Sequence, residues 1–337
     1  MVKIAVVGAG VIGLSTAVKI QEEIPEADVT IFADKFNQAT TSDGAAGIYR
    51  ITSQHAPGTD IPTLRRWGKD SWDRFSELSK RPDASKVGAL VVSGYQLYND
   101  SNREQPLFAD YVGNFRNCTE EELNSFGVKY KHGWFFTTVI LECRWYLPFL
   151  MKTFRRLGGK VVKQTISSLE EFVGRFDLVI NCSALGSKSL VNDQTVFPVR
   201  GQMIRAHAPW VKHFIYTDDM AYILPCQDNV VLGGTRQAGN YNKELDAEDT
   251  NGVWERCKNL LPSIEGARWD WQWVGLRPTR HPVRVEIEQM KFGNKTLPVV
   301  HNYGHGANGV TLSWGTAVHA AQLAKQVTRS LPTKSRL

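Results

Sequence analysis

The first residues equipped for chemistry stand near the start of the chain, where Gly8-Ala9-Gly10-Val11-Ile12-Gly13 follows a β-branched, apolar run from Lys3 to Val7. Glycines at this spacing permit a tight turn, close approach of a pyrophosphate, and close packing of the next helix on the strand. Free amides and the macrodipole at that helix N-terminus favour an anion. A second apolar run, Asp28 to Phe32, ends at Ala33-Asp34. That is about twenty residues past the last glycine, where a carboxylate is expected on a nucleotide ribose. A glycine turn that holds no nucleotide is the bland alternative, and the strand, turn, helix, strand register argues against it. The cluster Thr40-Thr41-Ser42-Asp43-Gly44-Ala45-Ala46-Gly47 could bring hydroxyl and backbone donors to a cofactor, or could equally cap a helix. Near the other end, Asn302-Tyr303-Gly304-His305-Gly306-Ala307-Asn308-Gly309 makes a second glycine-rich turn between strand and helix. The N-terminus of that helix is a candidate for stabilising negative charge. His301 and His305 have no cysteine or carboxylate in attendance, so they are expected to be packed or hydrogen-bonded rather than metal-bound. The five cysteines are odd in number and never spaced as CxxC. They are read as reduced thiols, and no metal site is expected.

These residues need elements to position them. A chain of 337 residues is long for one core, and two interlocked domains are the natural expectation. Helices are predicted over 14–22, around Trp67 and Trp72, over 145–157 and from about 311 to 329. Strands are predicted at 160–162, 176–182 and 297–301, and an antiparallel sheet from about 87 to 140 and again from 197 to 235. Because the nucleotide strands are separated by long insertions, that unit must be assembled from several chain segments. The composition, 42% hydrophobic and 22% charged, is that of a soluble globular protein. The apolar opening, Lys3 to Leu14, is interrupted by glycines, so no membrane span or secretory leader is expected and an intracellular protein is. The net charge of +6 is spread along the chain rather than gathered into a stripe, which argues against nucleic acid and for a few arginines serving an anionic ligand.

The segment Val299-Val300-His301-Asn302-Tyr303-Gly304-His305-Gly306-Ala307-Asn308-Gly309, with Gly315-Thr316-Ala317 beyond it, closely resembles the signature of D-amino acid oxidases. Further landmarks follow in the family's order: the Gly8/Gly10/Gly13 turn, Thr41-Ser42-Asp43 with Ala45-Ala46-Gly47, Asn181-Cys182-Ser183, Phe197-Pro198-Val199-Arg200-Gly201-Gln202, and Gly275-Leu276-Arg277-Pro278. On these residues the chain is identified as a member of the D-amino acid oxidase family. The resemblance implies an α/β fold: a Rossmann-like FAD-binding domain from 1–50, 141–195 and 275–330, interleaved with an antiparallel-sheet substrate domain from 51–140 and 196–274. Within the family the chain is most similar to D-aspartate oxidases, because Gly233-Gly234-Thr235-Arg236-Gln237 carries an arginine where enzymes for neutral substrates place an apolar or aromatic residue. One departure stands out. A second arginine of the acidic-substrate branch, expected after His213-Phe214-Ile215, is here Tyr216, and Arg50, close behind the Ala-Ala-Gly turn, is a candidate to compensate.

The resemblance implies oxidative deamination of acidic D-amino acids, D-aspartate and D-glutamate, to 2-oxo acids with ammonia and hydrogen peroxide. The alternative is an oxidase of neutral or basic D-amino acids. Such chemistry needs positioning rather than an acid or base, so no catalytic side chain is nominated. Arg277 is the candidate clamp for the α-carboxylate, against a structural arginine before Pro278. Tyr222 would add a hydrogen bond, against a core aromatic with a satisfied hydroxyl. Arg236 would meet the side-chain carboxylate, assisted by Arg50 or Tyr216. For FAD the expected residues are Gly8, Gly10 and Gly13, then Asp34 and Lys35 at the ribose, and Thr41, Ser42, Gly47, Ile48 and Val162. Gly306, Ala307, Asn308, Gly309 and Val310 would lie under the flavin. A nicotinamide-dependent dehydrogenase would explain the first glycine turn but not the second, and a non-catalytic flavin protein is the remaining rival. The end tripeptide Ser335-Arg336-Leu337 is a close variant of the Ser-Lys-Leu address. It predicts a peroxisomal import receptor as partner and the peroxisome matrix as location, with the cytoplasm as a second one.

Overall fold

The computed structural model describes residues 1–101 and 103–331, so the address read from Ser335-Arg336-Leu337 lies outside the described residues. In chain order the early strands are β1 (Lys3–Val7), β2 (Asp28–Ala33), β3 (Ala89–Tyr98), β4 (Gly113–Asn117), β5 (His132–Leu141), β6 (Lys160–Lys163) and β7 (Leu178–Asn181). The later ones are β8 (Phe197–His207), β9 (Phe214–Thr217), β10 (Tyr222–Pro225), β11 (Val230–Gly233), β12 (Gln237–Ala238), β13 (Arg268–Phe292) and β14 (Lys295–His305). They form one sheet in the order β4-β5-β3-β9-β10-β11-β8-β13-β14-β7-β1-β2-β6, with β12 paired to β8 off this path. The longer helices are α1 (Val11–Glu23), α2 (Ile61–Ser79), α3 (Cys143–Arg156), α4 (Ala247–Leu260) and α5 (Ser313–Ser330). None of the helices among the described residues is long and apolar enough to cross a membrane.

The two ends of the sheet follow from two sequence patterns. At one end β14, β7, β1, β2 and β6 run parallel, and β1 and β7 are apolar runs buried almost throughout, as strands covered on both faces must be. At the other end the pairings are antiparallel, except that β3 and β9 run parallel to one another. The parallel pair arises because β9 arrives from a distant part of the chain rather than through a hairpin. Helices α1 and α5 lie against one another beside the parallel end, and α2 approaches α5 so closely that the Gly315 N–H donates to Ser71 Oγ at 2.8 Å.

Strand β13 joins the two ends and places the site. Its first part, Arg268 to Thr279, pairs with β8, and its second part, Arg284 to Phe292, pairs with β14. The ladder is interrupted between Thr279 and Arg284. Thr279 faces His305, and His305 runs directly into a turn at Gly306–Asn308. The register therefore brings Arg277, on β13, beside the C-terminal glycine segment. That segment is a separate turn, and α5 itself begins at Ser313.

Candidate functional site

The first glycine turn divides its work among its three glycines. Gly8 has φ +109°, and a Cβ there would collide with the Cys182 carbonyl. A Cβ on Gly13 would strike the Gly8 carbonyl. Both are therefore required by the protein's own packing. Gly10 differs, since its nearest neighbour is Ser42 Oγ at 3.1 Å with otherwise open space. Ser42 Oγ accepts from the Val11 N–H at 3.0 Å, so a hydroxyl from a separate segment caps α1. The following amides of the first turn have no intrahelical acceptor. Asp34 and Lys35 are exposed just beyond β2, which lies beside β1 with Phe32 opposite Val7. Val162 faces Phe32 from the far side of β2. All of these sit at the carboxyl ends of parallel strands, the usual place for a ligand on such a sheet.

A cavity of about 910 Å³ opens where the parallel and antiparallel ends of the sheet meet. Thr41, Gly47, Ile48, Ala307 and Val310 line it, together with Arg50, Tyr216, Tyr222, Arg236 and Arg277. Gly8, Gly10, Gly13, Asp34, Lys35, Ser42, Val162, Gly306, Asn308 and Gly309 do not line it. They stand around the first glycine turn or within the second glycine segment, and the neighbours Thr41 and Ser42 link the first turn to the cavity. The second turn is tied to the 47–52 segment: Asn308 Nδ2 donates to the Thr52 carbonyl at 3.1 Å, and Thr311 Oγ1 to the Ile48 carbonyl at 3.2 Å. The cavity is of the size that takes an extended cofactor ring and a small substrate.

The polar wall of this cavity is built by strand register. Tyr216 on β9 faces Tyr222 on β10, and their rings stack at 5.3 Å with 9° between planes. Tyr222 in turn faces Gly233, and no Cβ could fit at Gly233 or Gly234 beneath the ring. Arg277 lies over Gly201 in the same manner, and its Nη1 donates to the Thr235 carbonyl at 3.1 Å. Thr235 Oγ1 accepts from the Gln202 N–H at 2.8 Å, and Arg256 Nη2 donates to the Gly234 carbonyl at 2.8 Å. The backbone leading to Arg236 is thus held at three points, while its side chain stands exposed at the cavity rim rather than buried. The Arg50 guanidinium carbon lies 3.8 Å from the centre of the Tyr216 ring.

Among the described residues, Arg50, Arg236 and Arg277 form no ion pair, which distinguishes them from Arg200 and Arg103. Arg200, 1% exposed, is fully engaged by Asp249, Gln237, Gln202 and the carbonyls of Asn242 and Glu244. Arg103, also in the lining, is neutralised by Asp100 at 2.8 Å and Asp218 at 3.3 Å. The three unpaired guanidinium groups act on what surrounds them. Burial pushes the Tyr216 phenol up, but the charge of Arg50, a hydrogen bond with it, and the charges of Arg277 and Arg236 outweigh burial and hold the group below its ordinary value. Tyr222, with less of this help, is pushed up to about 12 by burial. Arg236 is lowered chiefly by its partial burial, which the opposing charge of Tyr216 offsets in part, and then by the like charges of Arg277 and Arg50. Unpaired positive charge beside two phenols is a site prepared for a carboxylate.

Sequence reasoning missed Trp273 and Arg256. Trp273 lines the cavity, and its ring leaves no room for a Cβ at Gly44 or Gly275. The signal was present in the two-residue period of β13, which puts positions 273, 275 and 277 on one face. Arg256 acts across the fold from α4, and no local pattern announces it. The histidines also differ from expectation in one respect. His301 does have a carboxylate, Glu288 on the neighbouring strand at 3.0 Å, besides Asn181 at 3.2 Å. His305 bonds Thr316 Oγ1 at 3.0 Å, and no group of three metal-ligating side chains occurs among the described residues.

Residues 3–323 match the family described as FAD dependent oxidoreductase, abbreviated DAO. A human protein named D-aspartate oxidase is 43% identical over 333 residues, spanning 98% of this chain and 97% of the relative. A Dugesia ryukyuensis protein named D-amino acid oxidase is 37% identical, spanning 96% and 98%. The fold is shared with glycine oxidase from Geobacillus kaustophilus, with a TM-score of 0.78 at 18% identity over 99% of this chain and 96% of the other.

Proposed function

This chain belongs to the DAO family of FAD-dependent oxidoreductases and is an FAD-dependent D-amino acid oxidase, and from that premise we propose that its substrates are acidic D-amino acids. The observation that carries the reading is the set of three guanidinium groups, Arg50, Arg236 and Arg277, facing one cavity with no ion pair among the described residues; of the two carboxylates that share the lining, Glu104 and Asp218, the second is engaged by Arg103. A monocarboxylate leaves much of this charge unpaired. D-aspartate or D-glutamate brings a second negative group, whereas a basic side chain would be repelled. The replacement of a second branch arginine by Tyr216 favours the alternative, a neutral substrate. The contact between Arg50 and that same tyrosine restores a positive charge to the place.

The residues present fit FAD. Gly10 leaves open space at the capped N-terminus of α1, Asp34 stands at the end of β2, and the slot between 47–52 and 307–311 leads into the arginine wall. We assign the pyrophosphate to Gly8, Gly10, Gly13, Thr41 and Ser42, and the ribose to Asp34 and Lys35. Gly47, Ile48, Val162 and the turn from Gly306 to Val310 complete the cofactor contacts. In this reading the cofactor domain draws on 1–50, 141–195 and 275–330, and the substrate domain on 51–140 and 196–274. FAD, when bound, supplies the two-electron oxidation that converts a D-amino acid, oxygen and water into a 2-oxo acid, ammonia and hydrogen peroxide.

The chain's own residues bind and orient. Arg277, anchored on the Thr235 carbonyl by one nitrogen, presents its remaining donors to the α-carboxylate, and the Tyr222 hydroxyl adds another hydrogen bond. Arg236 closes over the side-chain carboxylate from the rim. Holding the substrate at both ends fixes the Cα–H without an acid or base, so the protein contributes positioning and electrostatics. A peroxide assay of the purified enzyme across acidic, neutral and basic D-amino acids tests the reading, and equal or better turnover of D-alanine than of D-aspartate would refute it. We propose in addition that Ser335-Arg336-Leu337 is read by the peroxisomal import receptor. Deleting Leu337 should then move the protein from peroxisomes to the cytosol at unchanged activity, and an unaltered distribution counts against the assignment.

A further inference from the structure

We infer that Arg50 is the second cation for the substrate's side-chain carboxylate and that the Tyr216 ring is the platform holding it there, an inference that rests on the acidic-substrate reading above. Arg50 follows the Ala45-Ala46-Gly47 turn, whereas Tyr216 belongs to β9 in a remote part of the chain. Only the fold brings them together, with the guanidinium carbon 3.8 Å from the ring centre. At that separation the planar group rests on the face of the ring and draws on its negative quadrupole. The contact uses the flat surface of the guanidinium, one hydrogen bond ties it to the Tyr216 hydroxyl, and the donors left over in its in-plane fork are the part that grips a carboxylate. Among the described residues no carboxylate occupies that fork.

The platform itself is rigid. Tyr216 stacks on Tyr222 at 5.3 Å, and Tyr222 rests on Gly233 and Gly234, where any side chain would displace its ring. A line of packed contacts thus runs from the glycine pair through both tyrosines to Arg50. The same backbone continues through Thr235 to Arg236, so the two cations are positioned from one piece of scaffold. Their charges oppose one another across the cavity, and a carboxylate between them relieves that opposition. In this arrangement the ring carries the guanidinium and the hydroxyl adds only a single hydrogen bond to it.

The test uses the flavin-loaded enzyme and its Arg50→Met, Tyr216→Phe and Tyr216→Leu variants. Two quantities are measured: the ratio of kcat/KM for D-aspartate over D-alanine, and the calorimetric Kd of succinate against propionate, which are aspartate and alanine without the amine. Arg50→Met should lower the ratio by about 30-fold and weaken succinate relative to propionate by a similar factor. Tyr216→Leu should do so by about 10-fold, whereas Tyr216→Phe, which keeps the ring, should stay within about 3-fold of the parent. If Tyr216→Leu fails to retain flavin, the other two variants decide. An unchanged Arg50→Met enzyme that still prefers acidic ligands would overturn the inference alone, as would a Tyr216→Phe loss as large as that of Arg50→Met. A parent enzyme that prefers D-alanine and propionate would overturn the acidic-substrate reading, and this inference with it.

Discussion

Replacing Arg236 by leucine separates substrate class from catalysis as such. Two unit charges at 4 Å interact by about 4 kcal/mol at an effective dielectric near 20. Arg236 stands at the rim and is exposed, so water competes for both partners and roughly half of that, about 2 kcal/mol, is a fair expectation for the lost contact. At about 1.4 kcal/mol per factor of ten, kcat/KM for D-aspartate should fall by roughly 30-fold. The effect on D-alanine should have the opposite tendency. Its methyl group makes no use of the cation, and removing Arg236 relieves its repulsion with Arg277 and Arg50. The assay is peroxide release at air saturation over a range of both substrates, with flavin content fixed by absorbance. Equal losses for D-aspartate and D-alanine would show that Arg236 holds the scaffold or the α-carboxylate, and an unchanged ratio would place the discriminating cation elsewhere.

Arg277→Met should damage every substrate, by on the order of 10²-fold or more in kcat/KM, since all of them carry the α-carboxylate. A loss confined to D-aspartate would contradict its assignment. Gly10→Val should yield a folded protein that fails to retain FAD, because a Cβ there meets only Ser42 Oγ at 3.1 Å and the side chain extends into the space proposed for the pyrophosphate. Gly8→Val, by contrast, should lower Tm sharply, since it collides with the Cys182 carbonyl at φ +109°; flavin absorbance per chain and thermal melts distinguish the two. Stability should fall below about pH 6.5 through His305, whose pKa is lowered to about 3 by burial. Between those values the unfolded chain binds a proton that the folded one refuses, so stability rises with pH across the window, by on the order of 2 kcal/mol from pH 5 to pH 8. Melts of the parent and of His305→Gln should show a shallower pH slope in the variant, and identical slopes would remove His305 from the account.

Much of the cofactor half was legible in the amino-acid sequence because its determinants are local. A glycine turn after a buried strand is forced by backbone sterics, and Gly8 and Gly13 adopt the roles their spacing implies. The apolar runs at β1, β2 and β7 and the amphipathic pattern of α2 read directly as elements for the same reason. The two-residue period of β13 even carried Trp273, unnoticed, on the face of Arg277. The function of individual arginines was a different matter. Arg200 and Arg277 both flank glycine motifs, yet Arg200 is buried and saturated by Asp249 and its neighbours while Arg277 keeps donors free over Gly201. Nothing near either residue in the chain separates them, and nothing near Arg50 announces Tyr216. A guanidinium carries its charge wherever it stands, but whether that charge is spent on the fold or offered to a ligand depends on whether a carboxylate from another segment reaches it. Strand register and helix packing settle that over distances the local sequence does not encode.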